Sequence, residues 1–318
     1  MMRRWMPWLS ALLVLGALML VAGVLRQFSW AQVAQSLHRL SASNLALAVL
    51  FTAGSYLALT GFDYLGLRYA GRRLPYRLVA LASFTSLSIG HTVGLSPLSS
   101  GAVRYRFYAR YGLSPGAVAK VILFSAATVA LGELGLAAIA LLANATLAAR
   151  ILGVDPGTAR WLGVGCIVLL AVHVALAATI RPSITIRRWS FGWPDWRLAL
   201  GQIAVGVLNY ALVAAALSCA IGPVAGLDYA TVATAYILAN LAALVSHVPG
   251  GLGVIEAVIV TVLPGAPVIG GLIAFRVIYF LLPLALGVLA FSAVEARLWA
   301  RRRDAARGRS TPATDIAR

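Results

Sequence analysis

Long apolar runs, rather than an alternation of apolar and polar positions, organise this chain. Eight of them lie at about 6–25, 44–66, 77–94, 116–143, 160–180, 197–221, 229–247 and 268–296, with polar residues gathered in the stretches between. A helix needs roughly 20 apolar residues to cross hydrocarbon. The pattern predicts an all-α, polytopic integral membrane protein.

The segments repeat. Shifted by 152 positions, the first four fall on the last four. Self-similarity at a fixed offset marks a duplicated architecture. It predicts one transmembrane domain over 1–304, with repeat 1 at 1–152 and repeat 2 at 153–304, then a disordered cytoplasmic tail at 305–318. The first segment follows a basic start, MMRRW, as a leader peptide would. Its partner at 160–180 identifies it as a retained span.

The same shift carries PLSSGAVR (97–104) onto PGGLGVIE (249–256), so Pro97 falls on Pro249, Gly101 on Gly253 and Arg104 on Glu256. Proline and glycine are the poorest residues for a helix interior. Interruptions at matching places in two halves point to a binding site built from broken helices.

Charge decides how those broken segments sit. The chain is 61% hydrophobic and 11% charged, against about 25% charged in soluble domains. Its mean hydropathy is +0.89. The net charge of +17 is carried by arginines clustered between apolar segments, which fits membrane orientation and anionic lipid and excludes nucleic acid as a partner. If all eight segments cross, the basic residues divide 15 inside to 10 outside. If the third and seventh enter and leave on one side, they divide 21 to 4, with Arg276 left inside the last segment. The second arrangement obeys the positive-inside rule. Each repeat then has three spans plus one broken re-entrant segment, and the two repeats are inverted. Both termini are cytoplasmic, as are 104–115 and 181–196, while 222–228 is external.

Such tips could hold an anion. The first amides of a helix lack partners and carry the positive end of its dipole, and glycine lets a ligand approach. The expected substrate-binding residues are Arg104, Arg276, Gly101, Gly250, Gly251 and Gly253. Arg104 could instead join Arg106 and Arg110 in a cytoplasmic basic face. Glu133, Glu256, His91 and His247 are expected to be coupling or structural groups, since charge at this depth needs a function or a partner. Arg104 and Glu256, at equivalent points of the repeats, are expected to approach each other or one cavity. Asp63 reads as interfacial, and His173 as a packed residue. Cys166 and Cys219 read as small hydrophobes, and no metal-ligand spacing or cofactor motif is present. The aromatic and basic stretch VRYRFYARYG reads as a collar at the headgroup level.

At its two break motifs, GHTVGLSPLSSGAVRYRFYARYG and SHVPGGLGVIEA, the sequence resembles the lysylphosphatidylglycerol synthase transmembrane-region family, which includes the flippase half of the multiple peptide resistance factor. The resemblance covers about 5–300 and rests on Gly101, Arg104, Pro249, Gly250, Gly251, Gly253 and Glu256. It implies a bacterial inner-membrane protein with flippase-like lipid translocation as its activity and membrane lipids, with anionic headgroups, as its partners. A homo-oligomer or a synthase partner is compatible with it. The chain ends at 318 without the aminoacyl-transfer domain of the synthases, so no enzymatic activity is expected. Two other readings stand beside translocation: a proton-coupled transporter of a small anionic solute, and a non-transporting partner of a lipid- or glycan-synthesising enzyme.

Overall fold

The computed structural model describes residues 40–93, 96–180, 183–186, 189–246, 248, 251–263 and 268–307, with single positions at 31, 34 and 38. The first apolar segment, Pro249, Gly250, His247 and the tail beyond 307 lie outside the described residues.

The first described long helix, α1, spans Ala42–Tyr69 and is capped by Ser41, whose hydroxyl accepts the Asn44 N–H. A helical hairpin follows, α2 (Tyr76–Val93) and α3 (Ser96–Tyr108). Pro97 lies in the first turn of α3, where a missing N–H costs no intrahelical bond. After a short 3₁₀ turn, α4 runs Pro115–Ala143 from an N-cap at Ser114. A short helix, α5 (Ala145–Leu152), leads to α6 (Pro156–Thr179). Asp155 caps α6 through the Thr158 N–H, and its bonds to the Thr158 hydroxyl and amide hold its carboxyl below the ordinary carboxylate range.

Between α6 and α7 (Trp196–Ala225) the chain forms a small antiparallel strand pair, β1 (Ser183–Ile186) and β2 (Trp189–Gly192). The strand pair departs from the all-α expectation for the fold, within a stretch read as a connection between apolar segments. Tyr69 Oη donates to the Gly192 carbonyl at 2.7 Å, tying the pair to the end of α1. A second hairpin follows, α8 (Tyr229–Ser246) and α9 (Val254–Val262). The last rod is α10 (Ile269–Arg276), a π-helical segment (Val277–Leu281) and α11 (Leu282–Arg307). The π segment has a local cause. Pro283 has no N–H to give to the carbonyl of Tyr279, four residues earlier. That carbonyl accepts the Tyr56 hydroxyl at 3.3 Å instead.

Six described helices are long and apolar enough to cross a membrane: α1, α4, α6, α7, α8 and the final rod. Side-chain neighbours fix their directions. On α1 and α7, Gly54 meets Leu212, Gly61 meets Val205 and Leu65 meets Gly201, so these helices are antiparallel. On α1 and α4, Gly66 meets Val121 and Asp63 meets Ser125, again antiparallel. Gln202 bonds to Phe124 and Thr128, and Gly206 lies on Gly132, so α4 and α7 are parallel. Gly271 packs on Ala220, and Tyr279 shares Ser55 with Asn209, so the final rod runs antiparallel to α7. It follows that α2–α3 leaves from and returns to one end of the bundle, and α8–α9 does the same at the other end.

Small residues make these close approaches possible. A Cβ on Gly206 would lie 2.7 Å from both Gly132 Cα and the Thr128 carbonyl oxygen, so α4 and α7 touch backbone to backbone. Membrane helices associate through such contacts because apolar burial between them gains little against lipid. The outer face is apolar to match: Trp161, Ile167, Val168 and Leu169 of α6 are all exposed.

Candidate functional site: two buried ion pairs and a polar interior

Arg104 projects from α3 into the bundle and is 2% exposed. Its Nε lies 3.0 Å from each oxygen of Asp63, its Nη2 lies 2.8 Å from Oδ1, and its Nη1 donates to Ser100 Oγ at 2.9 Å. Tyr108 Oη donates to Asp63 Oδ2 at 2.7 Å and Ser125 Oγ to Oδ1 at 3.4 Å. Asp63 is therefore no interfacial residue. It is 0% exposed and binds α1 to α3 and α4. A buried guanidinium needs such a carboxylate, because neither charge is tolerated alone.

A second pair lies in the other half. Arg276 Nε and Nη2 donate to Glu256 Oε1 and Oε2 at 2.5 and 2.9 Å, and Nη2 also reaches the Gly251 carbonyl at 2.9 Å. The Gly253 N–H donates to Glu256 Oε2 at 2.9 Å. The anion at the N-terminus of α9 is thus the chain's own carboxylate. Gly251 and Gly253 have φ of 58° and 78°, left-handed values that a side chain would resist.

Of the two expected arrangements, a direct pairing of Arg104 with Glu256 is not the one formed. Each has taken its partner from a different helix. Arg104 also does not stand at a helix N-terminus: α3 begins at Ser96, more than two turns earlier, whereas Glu256 is the third residue of α9. The two breaks match in sequence but start their second helices at different points. Gly101 faces α4, where a Cβ would lie 3.0 Å from Ile122, so it serves close packing. Arg106 and Arg110, read as a possible free basic face, both pair with Glu295 of α11.

Between the pairs lies a polar interior. Ser55 Oγ donates to Asn209 Oδ1 at 2.7 Å and stands 3.2 Å from Tyr279 Oη. Tyr56 packs against Phe84, His91 and Tyr279. Glu133 of α4 is 2% exposed and accepts from Asn240 Nδ2 at 2.9 Å. Ser55, Asn209, Asn240 and Glu295 are components that sequence reading missed. Their only signal was a polar side chain within an apolar segment. His173 packs on Trp193, with ring centroids 5.9 Å apart. Among the described residues no group of His, Cys, Asp and Glu could hold a metal ion.

No protein-family model matches the chain. It is 28% identical over 302 residues to inner membrane protein YbhN of Escherichia coli (strain K12), covering 93% of each chain. It is 27% identical over 275 residues to the uncharacterized protein slr0712 of Synechocystis, covering 85% of each. The chain is a polytopic helical membrane protein. The full-length likeness to a protein named for the inner membrane and the six apolar helices agree on this. A membrane setting also explains why Arg104 and Arg276 are each held by a carboxylate, since hydrocarbon offers no water to relieve an unpaired charge.

Proposed function

We propose that the protein is a flippase-like translocator of a phospholipid or related amphipathic lipid in a bacterial inner membrane, with both termini cytoplasmic. One arrangement carries this reading: two helical hairpins that enter from opposite ends of the bundle, each anchored by a buried arginine. In a bilayer such hairpins are re-entrant, and non-helical backbone at their tips is tolerated only where protein or an aqueous cavity surrounds it. Shifted by 152, α1, α2 and α4 overlap α7, α8 and the final rod, which supports an inverted repeat of the kind that builds alternating access.

Orientation rests on the basic residues. Arg68, Arg72, Arg77, Arg197 and Arg303 lie at the end where α1 and α11 finish and α7 begins. Arg68 covers Tyr64 at 4.7 Å, Arg197 covers Trp196 at 5.2 Å and Arg303 covers Trp299 at 5.1 Å, an aromatic and basic rim suited to anionic headgroups. The inner-membrane name of YbhN supports the same compartment. Arg104 and Arg276 would reach a headgroup phosphate only by exchanging it for Asp63 and Glu256, which makes the two pairs exchangeable latches on the hairpins.

The test is movement of headgroup-labelled lipid in liposomes holding the purified protein. Faster equilibration between leaflets than in protein-free liposomes is expected. Unchanged lipid rates together with uptake of a small anion would replace this reading with a solute transporter.

A further inference from the structure

Asp63, Glu256 and Glu295 each meet an arginine. Glu133 differs. It is 2% exposed, yet among the described residues no cationic side chain forms an ion pair with it. What it has is the Asn240 amide at 2.9 Å. Tyr210 of α7 and Tyr236 of α8 are within electrostatic reach of its carboxyl, Tyr279 of the π segment is within reach of both tyrosines, Tyr210 also bonds to Asn240, and Arg276 is within reach of Tyr236. The other titratable groups on elements around α4 are engaged elsewhere or distant: Asp63 with Arg104, Arg276 with Glu256, His173 against Trp193, Cys166 beside the Leu141 cluster, and Arg150 exposed on α5.

A buried carboxylate without a counter-ion favours the neutral acid, and an amide donor holds the charged form more strongly than the neutral one. Asn240 donates to the anion through Nδ2, a charge-assisted bond that protonation weakens. Position adds the second half of the argument. Gly132, next to Glu133, touches Gly206 backbone to backbone, so the carboxyl sits on a rigid α4–α7 unit. Its partner Asn240 sits on α8, the entering arm of the second hairpin.

We infer that Glu133 is a proton-binding site through which a pH gradient drives the second hairpin, the charged form holding α8 through Asn240 and the neutral form releasing it. This rests on the translocation reading and supplies its energy source. The chemistry is protonation alone: a carboxylate oxygen takes a proton from water at one face and returns it to water at the other.

Two measurements test it. Infrared difference spectra of the purified protein, titrated between about pH 5 and pH 9, should contain a protonated-carboxyl band that Glu133→Gln removes. In liposomes an imposed pH gradient should accelerate lipid movement severalfold, and Glu133→Gln should lose that acceleration while keeping the thermal midpoint of the parent. A Glu133→Gln spectrum identical to the parent's would overturn the inference, as would a variant that still answers the gradient in full. A titrating band with gradient-driven proton flux but no lipid movement would support the proton site and overturn the lipid reading instead.

Discussion

Arg104 of α3 and Asp63 of α1 are joined at 2.8 Å with side chains 2% and 0% exposed, while Arg276 and Glu256 are joined at 2.5 Å with side chains 4% and 30% exposed. The first pair is sealed, and the second has one partner open to its surroundings. That difference ranks the two pairs.

Removing one partner of the sealed pair leaves the other buried and uncompensated. Arg104→Ala or Asp63→Ala should each cost about 3–5 kcal/mol, and the double variant should cost less than the sum of the two. Thermal unfolding of the detergent-solubilised protein, followed across this four-member cycle, measures it. Additive losses would show that the two side chains do not depend on each other.

Arg276→Met should cost less than Arg104→Met, because the abandoned Glu256 is 30% exposed and keeps its bond from the Gly253 N–H. The same unfolding assay compares the two. A larger loss for Arg276→Met would contradict the ranking.

Tyr56 donates to the Tyr279 carbonyl, which Pro283, lacking an N–H, cannot serve. Tyr56→Phe should cost about 1 kcal/mol in the parent and close to nothing in a Pro283→Ala background, where the backbone N–H restored by the substitution could serve the Tyr279 carbonyl. Equal effects in both backgrounds would mean that the proline does not create this acceptor.

At Gly206, Val would drive a side chain into the backbone of α4. A loss of at least about 3 kcal/mol, or failure to recover folded protein, is expected for Gly206→Val, at the upper end of overpacking costs. Gly226→Ala, with nothing within 4 Å of its added Cβ but φ of +65°, should lose only about 1 kcal/mol. Size-exclusion profiles and unfolding midpoints of the two variants separate these cases.

Topology can be checked with an impermeant thiol reagent on intact cells, in a variant lacking Cys166 and Cys219. Tyr229→Cys, at the start of α8, should be labelled from outside, and Tyr111→Cys, beyond α3, should not. The reverse pattern would turn the protein over in the membrane.

The places of the apolar helices are legible in composition along the chain. The segments at 44–66, 116–143 and 229–247 became α1 at Ala42–Tyr69, α4 at Pro115–Ala143 and α8 at Tyr229–Ser246. This follows because hydrocarbon length and intrasegment hydrogen bonding are local requirements, readable from composition along the chain. The sequence also marked Arg104, Glu256, Arg276 and Glu133 as costly charges needing an explanation. Tertiary structure alone decided their partners. Repeat symmetry placed Arg104 opposite Glu256, but the position equivalent to Asp63 is Ala215, and the position equivalent to Arg276 is Phe124. The halves therefore neutralise their hairpins with different helices. A charge pair is settled by which side chains come within about 3 Å across separate helices, and that depends on crossing points set by glycines such as Gly132 and Gly206, far from either charge in sequence.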